Sequence, residues 1–141
     1  MGNHYFTIGS ALRATDERFL ADVIRAEKAL GLADASPRLF RPPSGLFTDA
    51  QLALLRARGY RAVLGTVYPF DTSRPPATYI RWLVLKNLAP GTIVIMHDGV
   101  KDPSHMLVAL DELLTEGTHR GFRFVSIGSL LATSASKSVT R

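Results

Sequence analysis

The chain has 141 residues and no cysteine, so one domain is the natural prior and neither disulfides nor thiolate chemistry enter. Hydrophobic residues make up 46% and charged residues 21%, an ordinary balance for a globular domain that can bury a core, and no apolar run approaches the roughly 20 residues that span a bilayer. The net charge is +5, but the basic residues are scattered, with no stripe of interleaved aromatics that would argue for nucleic acid.

The opening Met1-Gly-Asn-His-Tyr has no basic region followed by an apolar stretch. No secretory leader is therefore read in this chain, and a cytoplasmic location is the default expectation. From Thr15 to Leu30 the residues Phe19, Leu20, Val23, Ile24 and Leu30 fall at helical spacing, with Thr15 or Asp16 as the cap and Gly31 as the stop. Arg38–Phe40 reads as a short strand that runs into Arg41-Pro42-Pro43-Ser44-Gly45. Thr48 and Gln51 fit a capping box, which opens a helix through Leu52 and Leu55, and Gly59 closes it.

Arg61–Val67 reads as the next strand. Tyr68 to Pro76 contains three prolines and is expected to be neither helix nor central strand, because proline lacks a donor and has a fixed φ. A helix follows over Ala77–Leu88, with Tyr79, Ile80, Leu83, Val84 and Leu88 as its apolar stripe. After the Pro90-Gly91 turn, Thr92–Met96 is a near-continuous apolar run, as expected of a parallel strand covered on both faces. Asp102-Pro103 opens a helix that carries Met106, Leu107, Leu110, Leu113 and Leu114 to Gly117. Phe122–Ile127 is the expected last strand, followed by a short helix at Ser129–Ala132 and a disordered tail over residues 133–141. The alternation predicts an α/β fold with parallel strands and right-handed helical crossovers.

Polar residues follow the strands at a repeated position. Arg41 follows the first, Asp71 the second, and His97 and Asp98 the third. In parallel α/β folds the carboxyl ends of the strands share one face, where catalytic groups collect. Each residue also has a plainer role: Arg41 as a carboxylate's partner, Asp71 as a turn residue. His97 follows a wholly apolar strand, so it is either the partner of a carboxylate such as Asp71 or the acid of a reaction. These two readings are compatible, because a carboxylate on one ring nitrogen orients the other. His105 and His119 are expected to be solvated. Phosphate-cradling glycine loops and a Gly-x-Ser-x-Gly elbow are absent from the sequence.

Taken in order, Asn3-His4, Phe40-Arg41-Pro42-Pro43-Ser44-Gly45, Gly65-Thr66-Val67-Tyr68-Pro69-Phe70-Asp71, Ile93-Val94-Ile95-Met96-His97-Asp98-Gly99 and Phe124-Val125-Ser126-Ile127 resemble the motifs of the polysaccharide deacetylase family, the NodB-homology domain of carbohydrate esterase family four. The resemblance covers residues 1–132. It implies a distorted (β/α) barrel, here partial and without the family's first strands. It implies removal of acetyl groups from amino-sugar polymers of the chitin or peptidoglycan type, with a divalent metal such as zinc or cobalt. By the same resemblance His4 is a metal ligand, Arg41 tunes the catalytic base, Asp71 orients and charges His97, and His97 is the general acid. Pro43, Gly45, Tyr68 and Asp98 are assigned to the substrate groove.

Two departures reduce this expectation. The family's second metal histidine falls on Ile8, which cannot ligate a metal. The family's aspartate motif, which supplies the base and a further ligand, lies upstream of the matched stretch. The expected metal is therefore weakly held or absent, and turnover is impaired. The alternatives are a non-catalytic carbohydrate-binding relative, a truncated fragment, or another α/β protein that binds sugar or phosphate without hydrolysis. An incomplete barrel also exposes a sheet edge and apolar faces, so self-association is expected. Acetylated polysaccharides or oligosaccharides are the expected partners, and neither nucleic acid nor membrane is.

Overall fold

The structure is a computed structural model that describes residues 1–7, 9, 11–34, 36–99 and 102–138, with side chains described as far as Thr133. The chain divides into two compact units, Met1–Leu64 and Gly65–Arg141.

In the first unit, helix α1 spans Asp16–Ala29, with Thr15 as its cap accepting from the Arg18 N–H. Its Phe19, Val23 and Ala26 are buried. Strand β1 is Arg38–Phe40. Helix α2, Asp49–Ala57, begins on the expected capping box, in which the Thr48 hydroxyl accepts from the Gln51 N–H and the Gln51 amide accepts from the Thr48 N–H. The other end of the Gln51 side chain donates to the Ala11 carbonyl at 2.8 Å, which ties α2 to the segment before α1. Gly59 turns the chain at φ 75° into strand β2, Tyr60–Ala62. The two strands pair in parallel, Arg38 with Tyr60 and Phe40 with Ala62. On the other edge of β1, Asn3 forms a parallel bridge with Phe40.

The core of this unit is aromatic. Phe19 meets Phe40 edge-on with centroids 5.9 Å apart, Phe40 meets Tyr60 at 6.2 Å, and Tyr5 stacks on Phe19 at 5.6 Å. A polar network lies beside it. The Tyr60 hydroxyl donates to Glu27 at 2.7 Å, and Arg38 and Arg58 approach the same carboxylate at 3.4 and 3.8 Å. Removal from water, with the Glu27 carboxylate as a further cause, pushes the Tyr60 phenol above its ordinary pKa.

In the second unit, helix α3 is Ala77–Lys86 and helix α4 is Ser104–His119. They pack on each other through Ile80, Val84, Leu85, Ala109 and Leu113, with Val67 beneath. Helix α5 follows over Ile127–Ser138. Among the described residues no helix is long and apolar enough to cross a membrane.

Four expectations are corrected. The Arg61–Val67 strand is shorter than its pattern: β2 ends at Ala62, and Val67 returns as an isolated parallel bridge with Val94. The Thr92–Met96 run is likewise reduced to that bridge, and its residues are half-buried rather than covered on both faces. A strand consists of its ladder, and among the described residues the backbone hydrogen bonds between these two runs join only Thr66 and Val67 to Ile93 and Ile95 to Val67. Phe122–Ser126 forms no strand among the described residues, and Phe124 and Val125 stay 42% and 45% exposed. Finally, α4 runs through Gly117 to His119, and α5 continues well past Ala132 into the expected tail. Gly117 is buried inside α4, where a Cβ would lie 2.5 Å from the Phe124 ring, so it serves close packing and Gly121, at φ 83°, takes the left-handed turn. Residues 139–141 lie outside the described residues.

Candidate active site

The Asp71–His97 pair is assembled in the second unit. Val67 and Val94 are bridged, so the chain segments beyond them leave side by side. Gly65 makes the approach possible, because a Cβ there would collide with the Ile95 side chain. Past Val67 the chain turns through Phe70 at φ 58° and Arg74 at φ 56°, two left-handed non-glycine residues that bracket the helical turn Asp71–Ser73. This turn buries Asp71 to 1% exposure.

A buried carboxylate must be hydrogen-bonded, and Asp71 is. Its Oδ2 accepts from the His97 backbone N–H at 2.6 Å, and its oxygens lie 3.1 and 3.3 Å from His97 Nδ1. The carboxylate can only accept, so Nδ1 carries the proton and Nε2 is left for chemistry. The His97 side chain is 38% exposed. Tyr68 packs edge-on against the imidazole at 5.8 Å, and its hydroxyl pairs with the Thr72 hydroxyl at 2.7 Å. Asp98 is exposed. These contacts bring together three of the predicted residues, Tyr68, Asp71 and His97.

The first unit holds His4, Arg41, Pro43 and Gly45. Its bridge to Phe40 makes Asn3 N–H donate to the Leu39 carbonyl and Arg41 N–H donate to the Asn3 carbonyl, each at 2.8 Å. That register lays His4 beside Arg41, and His4 Nδ1 donates to the Arg41 carbonyl at 2.7 Å. A backbone carbonyl on Nδ1 is how ligating histidines are commonly oriented, with Nε2 free. The donor set nevertheless does not fit a metal centre. Among the described residues no three His, Cys, Asp or Glu side chains gather. The Ile8 position lies outside the described residues, and its side chain has no donor atom. Arg41 is half-buried, with its Nε left without a hydrogen-bond partner among the described residues. Pro43 and Gly45 form one tight turn, with Ser44 at φ 56° and Gly45 at φ 72°. An open cavity of about 410 Å³ between α2 and β2, lined by Phe47, Leu52, Arg56, Tyr60 and Leu64, contains none of the predicted site residues.

Two residues matter more than their sequence signal suggested. Asn3 is buried to 1%, and its amide donates to the Val23 carbonyl at 2.9 Å and to the Tyr60 hydroxyl at 3.3 Å. Its side-chain oxygen accepts from the Tyr5 N–H. His105 is not simply solvated. Its Nε2 lies 3.1 Å from the Asp71 backbone carbonyl. Its place in the first turn of a helix, just after the loop that follows His97, was the available clue. His119 is exposed.

No family model matches the chain. Named proteins do. It is 35% identical over 133 residues to a peptidoglycan-N-acetylglucosamine deacetylase of Bacillus cereus, a match that covers 93% of this chain and 62% of that relative. Among solved structures, a peptidoglycan N-acetylglucosamine deacetylase is matched at TM-score 0.85 with 25% identity, over 92% of this chain and 61% of the other. A family-four pseudoenzyme from Bacillus anthracis is matched at TM-score 0.82 with 26% identity, over 92% and 45%. Parallel pairing, helical connections and an aspartate-held imidazole beyond the strand ends, together with these likenesses, define a polysaccharide deacetylase-type α/β domain. These likenesses support a NodB-type domain of the kind found in carbohydrate esterase family four. It spans about three-fifths of the length of the Bacillus cereus relative.

Proposed function

We propose that this chain carries the acid half of a deacetylase acting on acetylated amino-sugar polymers of the peptidoglycan or chitin type. The observation that carries the reading is the Asp71–His97 pair, with Nδ1 of a partly exposed imidazole on a buried carboxylate. In the proposed step a water oxygen has added to the acetyl carbon. The C–N bond then breaks to leave acetate, and the imidazolium form of His97 gives its Nε2 proton to the leaving amine, returning to the Nδ1–H form held by Asp71. Tyr68, Asp98, Pro43 and Gly45 are the proposed groove residues, and Arg41 belongs beside the base. The parallel pairing in each unit and the TM-scores support the finer reading of a partial distorted (β/α) barrel.

Turnover is proposed to be impaired, because Ile8 stands where the resemblance implied a second metal histidine. A second reading, glycan binding without turnover, is favoured by Ile8 and by the likeness to the pseudoenzyme. Acetate release from an acetylated chitooligosaccharide, with and without added zinc or cobalt, tests both. Slow release that vanishes in His97→Ala is expected under the first reading. Glycan binding with no release in any metal supports the second, and no binding at all sinks both. Exposed apolar side chains on and after α4, including Leu107, Val108 and Phe124, make self-association part of the proposal.

A further inference from the structure

We infer that His105 is a positioning residue that holds the Asp71 turn in place and so keeps the His97 imidazole in its Nδ1-protonated form. The inference rests on the reading of His97 as the proton donor, but its test does not depend on turnover.

The Asp71 turn does not hold itself. It is entered and left through Phe70 and Arg74, both in the left-handed region, where each non-glycine residue costs about 1 kcal/mol or more and persists only if its surroundings impose it. Two contacts from the start of α4 impose it. His105 Nε2 lies 3.1 Å from the Asp71 carbonyl, and Arg74 reaches Asp102 at 2.7 Å. A carbonyl only accepts, so His105 Nε2 must carry a proton.

The Asp71 carbonyl also accepts from the Arg74 N–H at 2.9 Å. Both of its lone pairs are thus used, one to close the turn and one to fasten it to α4. The two contacts differ in kind. The Arg74–Asp102 ion pair is about half exposed on both sides, where such pairs contribute little. His105 is half-buried and acts on the backbone of the residue whose side chain orients His97. Loss of the His105 bond lets the turn relax, and the carboxylate then moves relative to Nδ1. The Asp71–Nδ1 distances of 3.1 and 3.3 Å leave little slack before that bond fails.

Nitrogen-15 NMR of the imidazoles in the full chain, at a pH where they are neutral, reads both tautomers directly. The unmodified protein is expected to show His97 protonated on Nδ1 and His105 protonated on Nε2. His105→Ala is expected to lose the Nδ1–H form of His97, and His105→Gln, whose amide can donate to the same carbonyl, to recover it. Unchanged His97 resonances in a folded His105→Ala protein would overturn the inference. If that variant does not fold, the unmodified protein still decides, because His105 with its proton on Nδ1 contradicts the proposed bond. Failure of the deacetylase reading shows separately, as absent acetate release with these tautomers intact.

Discussion

Asn3, Glu27 and Tyr60 form a buried polar chain beside β1 and β2. The Tyr60 hydroxyl donates to Glu27 and accepts from Asn3, so its ionised form would be a second negative charge beside a buried carboxylate. Tyr5 is also raised, first by burial and then by Asp22. For both phenols the folded-state pKa lies above the unfolded value, so protons leave the unfolded chain first. Their contribution is fully present below the ordinary tyrosine pKa of about 10 and is lost as pH rises through that value toward the folded one. Urea unfolding followed from pH 8 to pH 11.5 should show stability falling above about pH 10. Tyr60→Phe should lower stability at neutral pH by about 1–2 kcal/mol through the lost hydrogen bonds and flatten the alkaline fall. An equal fall in that variant would remove Tyr60 from the account.

The strand elements are unusually short, three residues each in β1 and β2 and single bridges at Asn3–Phe40 and Val67–Val94. Pairing at that length depends on side-chain fit. Gly65 shows it most sharply, because the Ile95 side chain occupies the space a Cβ would need and the Ile93 carbonyl stands 3.3 Å from the same point. Gly65→Ala should destabilise the protein by about 1–3 kcal/mol, the usual range for overpacking. Most of that loss should disappear in an Ile95→Ala background, read as a coupling in a double-mutant cycle of denaturant midpoints. An equal cost in both backgrounds would show that the backbone, not Ile95, resists the methyl group. The helices are more self-sufficient. The Thr48–Gln51 capping box and the Thr15 cap form from neighbours in sequence, which is why both were readable before any tertiary contact was known.

At the scale of the molecule, each unit has its own apolar cluster, one around Phe19 and Phe40 and one around Ile80 and Leu113. Large apolar side chains nevertheless remain open in the second unit: Leu107 and Val108 are 53% and 52% exposed on α4, and Phe124 and Val125 follow it. The proposed self-association predicts an apparent mass above the 15.4 kDa of one chain in gel filtration, rising with concentration. A Leu107→Glu, Val108→Lys variant should shift the protein toward monomer at unchanged helix content, since neither side chain is in the core. Monomeric behaviour of the unmodified chain across the concentration range would refute the association.

The sequence by itself determined the elements whose signals are local: α1 and α2 with their caps, β1 to the residue, and α3 through its apolar stripe. It also placed Arg41, Asp71 and His97 after the strands, because a change from apolar to polar residues marks a strand's end whatever it pairs with. Tertiary structure alone decided how far each strand extends, since a ladder exists only where a partner offers its N–H and C=O groups, and Phe122–Ser126 has none among the described residues. It also decided which polar side chains meet. Asp71 and His97 are 26 positions apart, His105 and Asp71 are 34, and Asn3 and Tyr60 are 57. No local pattern encodes those pairings, because what joins them is the requirement that each buried polar group find a partner once the chain has folded.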